Sequence, residues 1–251
     1  MGVLSGKGGV GKTMVTSNLG ISLAKQGHNV MIIDTDLTAP NLSLHMGIPF
    51  YDVTFHDVLK KKLPIEAAIY DHHSGVRIVP ASLAASAVKG IDYNRFKHVF
   101  LALLGKADII LLDSPPGLGP EAEAVMDVSD ELIVVTNPEL SAVTDALRAL
   151  KFAEARGTKV LGVVLNRVRG DRHELKRSEV EDMLNGNVLL SIPEDPNVMR
   201  SVHLKNPVVL HRPKSIAAMR LKRLASLVAG EIPEEEERDE GWFKKFFGWL
   251  Q

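Results

Sequence analysis

Eight residues near the amino end, Gly6-Lys7-Gly8-Gly9-Val10-Gly11-Lys12-Thr13, restrict this chain more than any other stretch. Four glycines in eight positions let backbone N–H groups converge on an anion without interference from Cβ atoms. Lys12 brings a charge that can reach the β- and γ-phosphates of a nucleotide, and Thr13 brings a hydroxyl suited to Mg²⁺. The run follows Val3-Leu4 and opens a helical pattern over Lys12–Gln26, which gives the strand–loop–helix order that a phosphate loop needs. The dipole of that helix adds to anion binding. A plain glycine-rich turn before a helix would lack so complete a set.

The rest of the chain fits a sheet built around such a loop. Short β-branched runs alternate with longer helical patterns, the mark of a doubly wound, mostly parallel α/β sheet flanked by helices. The strands are expected at Asn29–Asp34, Val76–Pro80, Asp108–Asp113, Glu131–Asn137, Lys159–Asn166 and Val188–Ile192. Helices are expected at Lys12–Gln26, Arg95–Leu104, Leu140–Ala155, Leu175–Leu184 and Ile216–Val228. Runs such as Ile109-Ile110-Leu111-Leu112 are apolar throughout, as strands buried on both faces should be. Asp34, Asp36, Asp113, Asn137, Asn166 and Glu194-Asp195 collect at strand carboxyl ends, the edge where open parallel sheets bind ligands.

Composition excludes several chemistries. With no cysteine among 251 residues, disulfides, thiolate metal sites and cysteine nucleophiles are impossible. The nine histidines show no metal-ligand spacing. A formal net charge of −1 gives the chain as a whole no electrostatic pull toward nucleic acid, which is an unexpected partner here. No apolar leader and no bilayer-length apolar stretch is visible, so a soluble, cytoplasmic protein is expected.

The composition shifts after Gly230. Residues 1–230 read as the nucleotide-binding domain and 231–241 as an acidic linker. Residues 242–251 place Trp242, Phe243, Phe246, Phe247, Trp249 and Leu250 on one side of a short helix, opposite Lys244, Lys245 and Gln251. Such a helix suits an anionic membrane surface, rings among the headgroups and lysines toward lipid phosphate. Docking of the same helix on its own domain or in a partner's groove is the alternative.

Lys7 is not required by a general phosphate loop. Lys-Gly-Gly-Val-Gly-Lys-Thr resembles the deviant Walker A loop of the MinD/ParA family of P-loop ATPases, and the resemblance covers residues 1 to about 230. It implies ATP and Mg²⁺ as cofactors, contacts from Gly6, Lys7, Gly8, Gly9, Val10, Gly11, Lys12, Thr13 and Met14, and Lys7 reaching across an ATP-dependent homodimer. Asp34-Thr35-Asp36 resembles the first switch: Asp36 would orient the attacking water and Asp34 would support the magnesium shell. Asp113-Ser114-Pro115-Pro116-Gly117 resembles the second, with Asp113 at Mg²⁺ and the Gly117 N–H at the γ-phosphate. Thr13, Asp34, Asp36 and Asp113 form the implied metal set, and Lys7, Lys12 and Asp36 the catalytic one. Asn166-Arg167 and Pro193-Glu194 match the places that frame adenine.

Within that family, Val135-Thr136-Asn137-Pro138-Glu139 with Ser141 and Asp145 looks like the MinD branch, whose members end in a comparable amphipathic helix. The resemblance implies an ATPase peripheral on the inner face of the cell membrane that positions a partner protein. Two other readings stay open. A DNA-partitioning ATPase would use basic residues such as Lys176-Arg177 and Arg220, Lys222 and Arg223; a nucleotide-dependent scaffold would hydrolyse negligibly. The sequence departs from the family in two places: only Met1–Leu4 precede the loop, so the first strand is expected to be a stub, and Met14 stands where many loops offer a second hydroxyl.

Overall fold

A computed structural model describes residues 1–48, 50–61 and 63–231. Apart from Glu231, the linker and the amphipathic segment, with Trp242, Phe243, Phe246, Phe247, Trp249 and Leu250, lie outside the described residues. The strands are β1 (Gly2–Ser5), β2 (Val30–Asp34), β3 (Tyr70–Asp71), β4 (Arg77–Val79), β5 (Ile109–Pro116), β6 (Glu131–Thr136), β7 (Lys159–Val168) and β8 (Val188–Pro193). The helices are α1 (Lys12–Lys25), α2 (Leu42–His45), α3 (Phe55–Lys61), α4 (Arg95–Leu101), α5 (Pro120–Asp127), α6 (Leu140–Ala155), α7 (Arg177–Leu184), α8 (Pro196–His203), α9 (Val208–His211) and α10 (Ile216–Val228).

The strands form one sheet in the order β3-β4-β2-β5-β1-β6-β7-β8. All neighbours run parallel except the short edge pair β3 and β4. The first strand is short, as its sequence predicts, yet it sits at the middle of the sheet between β5 and β6, fully buried. A four-residue strand suffices there because both of its edges are paired and both of its faces are covered.

Helices α1, α9 and α10 cover one face, meeting the sheet through Val15, Leu19, Ile32, Leu111, Ile133, Leu221 and Leu224. On the other face, α3, α4 and α5 pack around Phe55, Phe96, Val125 and Met126, and α6 and α7 close the far end through Val143, Ala146 and Val180. Helix α1 is buried along almost its whole length, which is why its sequence is apolar or small nearly all round. Gly20 explains how closely it lies: a Cβ there would stand 2.5 Å from Ile32 Cδ1 on β2.

Candidate nucleotide-binding site

The glycine loop bridges the end of β1 and the start of α1, at the carboxyl edge of the sheet. Gly9 and Gly11 have φ of 81° and 94°, values that side chains rarely tolerate. At Gly11 a Cβ would also stand 2.3 Å from Asn166 Nδ2. The N–H groups of Gly8, Gly9, Val10 and Gly11 donate to no backbone carbonyl among the described residues. Such converging donors at a helix start suit phosphate oxygens. They open on a cavity of about 630 Å³, a volume suited to a nucleotide.

Gly6 has a different task from the one its motif suggests. It is not on the cavity wall, and a Cβ on it would lie 2.2 Å from the Asp145 carbonyl oxygen. The loop is thus laid directly against the backbone of α6, and only glycine permits that approach.

Beneath the loop, Lys12 Nζ lies 2.7 Å from Asp113 Oδ1, with both side chains nearly excluded from solvent. Thr16 Oγ1 donates to the same oxygen at 2.9 Å. Asp113 Oδ2 is buried with no partner among the described residues. An unpaired buried carboxylate oxygen is costly unless something satisfies it. A magnesium ion held directly or through water fits this need, and Thr13 on the cavity wall offers a hydroxyl oxygen to it.

Asp34 does not join that set as expected. Its Oδ1 accepts the Asp36 N–H and its Oδ2 the Leu42 N–H, both at 3.1 Å, and it is wholly buried away from the cavity. Desolvation, reinforced by neighbouring Asp113 and opposed by Lys12, pushes its carboxyl well above the usual range. It therefore shapes the 34–42 loop from behind, next to Asp113 and Lys12. Asp36 does line the cavity, and its Oδ1 accepts the Ala39 N–H at 2.9 Å. Burial raises its carboxyl too.

One further assignment changes. The Gly117 N–H donates to Ser5 O at 2.9 Å, so it ties β5 to β1 and is not turned to the phosphate position. Asn166, expected to read adenine, lines the cavity and also donates its Nδ2 to Val10 O at 2.7 Å, which braces the loop. With its nitrogen turned inward, the Asn137 amide adds donations to Val10 O (3.1 Å) and Asn166 O (3.2 Å). Arg167, Pro193 and Glu194 do reach the cavity, as does Met14. Arg167 holds φ at 57°, an uncommon backbone for a side chain.

Lys7 stands outside this cavity. It is exposed, with Nζ 3.3 Å from Ser141 Oγ and 3.4 Å from Glu139 Oε2 at the start of α6. It bonds to none of the groups around Asp113.

The sequence reading missed three contributors. Thr16 lies one turn after Thr13, a spacing that puts a second hydroxyl on the same side of α1. His45 borders the cavity, its imidazole pKa lowered mainly by burial. Helix α8 supplies an apolar wall of Val198, Met199 and Val202. Its start was legible: Asp195 caps it by accepting the Asn197 N–H at 2.8 Å, and Pro196 follows at the first helical position.

The 34–42 loop has an acid-sensitive support. His56 Nδ1 accepts the Ser82 N–H at 3.0 Å, so Nε2 carries the proton and donates to Leu37 O at 3.0 Å. Protonation would remove the first of these bonds. Burial accordingly lowers the His56 pKa below 6.5, and His72, bonded to Met46 O and Ser74, is lowered likewise. Below 6.5 the unfolded chain binds protons that the folded one resists, so stability is full above that value and falls as pH drops through it. Urea unfolding at pH 7.5 and 5.5 should show this loss, and His56→Gln should shrink it.

The comparisons with known proteins agree with this geometry. A family model described as "ParA: NUBPL iron-transfer P-loop NTPase" matches residues 1–229. The septum site-determining protein MinD of Pyrococcus horikoshii, solved with Mg-ADP, superposes with a TM-score of 0.87 at 36% identity, covering 90% of this chain and 94% of that one. An uncharacterised ATP-binding protein of Methanocaldococcus jannaschii is 36% identical over 228 residues, 91% of this chain and 87% of its own length. MinD in the Aquifex aeolicus MinC:MinD complex superposes with a TM-score of 0.82 at 28% identity, over 94% and 97% of the two chains. This chain, with its loop, its buried Lys12–Asp113 pair and its sheet order, belongs to the ParA family of P-loop NTPases and is of the MinD-like kind.

Proposed function

We propose that this protein is a Mg²⁺-dependent ATPase that dimerises on ATP, binds an anionic membrane surface reversibly through residues 242–251, and positions a partner protein there. On this reading it is cytoplasmic and peripheral on the inner face of the cell membrane. The observation that carries the proposal is the placement of Lys7: a lysine fixed on the exposed flank of the loop, outside its own cavity, is available to a second copy's phosphates. The bound metal would supply charge neutralisation between the phosphates. Lys12 and the loop N–H groups would hold the phosphate oxygens, and Asp36 would orient the attacking water. Iron transfer, which the family description names, finds no cysteine here to hold a cluster. The MinC:MinD complex of Aquifex aeolicus supports a protein partner for this chain.

Avidity supplies the switch. One short anchor binds weakly, whereas two anchors in a dimer strengthen attachment by roughly 10²–10⁴ with no new contact. Co-sedimentation with anionic liposomes in ATP and in ADP tests this. Pelleting in ATP alone, lost on deleting residues 242–251 or in Lys7→Ala, is the expected result. Equal pelleting in both nucleotides would sink the switch.

A further inference from the structure

Helix α5 starts three residues after Gly117, and Glu121 stands in its first turn. The other acids of this helix, Glu123 and Asp127, pair with Arg156 at the end of α6. Glu121 pairs with no cation among the described residues. Its Oε1 instead accepts two hydroxyls, from Tyr93 at 2.6 Å and from Thr38 at 3.0 Å. Three elements meet at that oxygen: α5, the turn before α4, and the 34–42 loop. Tyr93 is the fixed member, its ring 6.1 Å from that of Phe96, which is buried with Phe55 in the core of this face. Thr38 is the exposed member, on a loop whose hydroxyls water could serve equally well.

The turn that Thr38 belongs to is the one that aims Asp36. Asp36 Oδ1 accepts the Ala39 N–H at 2.9 Å, so the carboxylate closes the 36–39 turn from the cavity side. Glu121 grips the same turn from α5. We infer that Glu121 is a positioning residue for Asp36, holding the 36–39 turn against α5 through the Thr38 hydroxyl and braced in its own place by Tyr93. This inference rests on the reading of Asp36 as the group that orients the attacking water. The link is not electrostatic. Glu121 adds to the upward shift that burial chiefly imposes on the Asp36 carboxyl, and like charges do not hold each other in place. Hydroxyl donors can, and hydrogen bonds to a carboxylate are roughly twice as strong as neutral ones.

The link also joins the two loops that border the phosphates. The 113–117 segment leads directly into α5, so a shift in it as phosphate arrives or leaves is passed to Glu121, and by way of Thr38 to Asp36.

The test compares Glu121→Ala, Glu121→Gln, Thr38→Val and the pair Thr38→Val/Glu121→Ala in the full chain, with Asp36→Ala alongside. Two quantities are read: kcat and KM for ATP, and hydrogen exchange of the Ala39 amide by NMR in ADP. Glu121→Ala and Thr38→Val should each lower kcat roughly tenfold with KM nearly unchanged, as loss of aim does. Exchange at Ala39 should quicken about fivefold, the equivalent of one lost hydrogen bond. Glu121→Gln keeps an amide oxygen for both hydroxyls and should retain most of the parent's turnover and protection. The pair should be no slower than Glu121→Ala alone. A normal kcat in Glu121→Ala while Asp36→Ala is inactive would overturn the inference and leave the reading of Asp36 standing. Equal losses in the Gln and Ala variants would overturn it too, since charge and not hydrogen bonding would then matter. Full turnover in Asp36→Ala would sink the reading of Asp36. The Ala39 amide then decides the link by itself: unchanged exchange in Glu121→Ala overturns it, and quickened exchange upholds it. Thr38→Val changes an exposed side chain at constant shape, so it carries the same test if Glu121→Ala fails to fold.

Discussion

Lys12→Ala is expected to abolish nucleotide binding and, in the nucleotide-free protein, to cost about 3 kcal/mol of folding stability. Loss of binding follows from the motif, because among the described residues no other buried lysine or arginine stands beneath the loop. The stability loss follows from the structure. Among the described residues Lys12 is the cation placed against the buried carboxylates Asp113 and Asp34, and it lies 2.7 Å from the first. Removing it leaves two neighbouring carboxylates to share a site without a counter-charge, and proton uptake would offset only part of the cost. Urea denaturation with and without nucleotide separates the two effects. The double variant Lys12→Ala/Asp113→Asn should recover much of the stability and none of the binding. A single variant as stable as the parent would show that the pair contributes nothing to the resting fold.

Gly6→Ala and Gly8→Ala should differ sharply, although a motif treats the two glycines alike. At Gly6 a methyl group would meet the Asp145 carbonyl at 2.2 Å and its carbon at 2.3 Å. Backbone cannot swing aside as a flexible side chain can, so the loop must lift from α6. Overpacking of this kind costs about 2 kcal/mol, and the lifted loop should lose nucleotide affinity. At Gly8 the nearest atoms to a new Cβ are Pro116 carbons at 3.8 Å, an ordinary contact. Gly8→Ala should therefore keep the parent's stability, measured by thermal unfolding. Equal losses in both variants would mean that crowding at Asp145 is not what fixes the first position.

Much of this molecule is visible in its residues. Buried parallel strands announce themselves as apolar runs, so β2, β5 and β6 fall where those runs lie, and α6 and α10 match their patterns to the residue. The edge strand β3 was missed because two residues, Tyr70-Asp71, carry no periodicity. Helix α5 was missed as well, although Pro120 and the acids of its first turn mark its start. Within the site, sequence identifies which groups gather but not which way they point. Asp34 and Asp36 are two residues apart at one strand end; one serves the backbone behind the cavity and the other faces it. Asn166 likewise sits at the expected strand end, and its amide is drawn to Val10 by a carbonyl that no pattern reveals.

The place of β1 has a consequence for synthesis. Its partners are β5 and β6, so in a growing chain this strand has nothing to pair with until residues 109–116 and 131–136 have followed. The glycine loop hangs from that strand. It acquires its support only after residues 131–136 are made, and Asn166 then still has to arrive to hold Val10. Contacts of such long sequence separation make folding slow and leave the early chain exposed. Nucleotide cannot relieve that exposure by binding the nascent chain. The ligand site forms only after that exposed stage has passed.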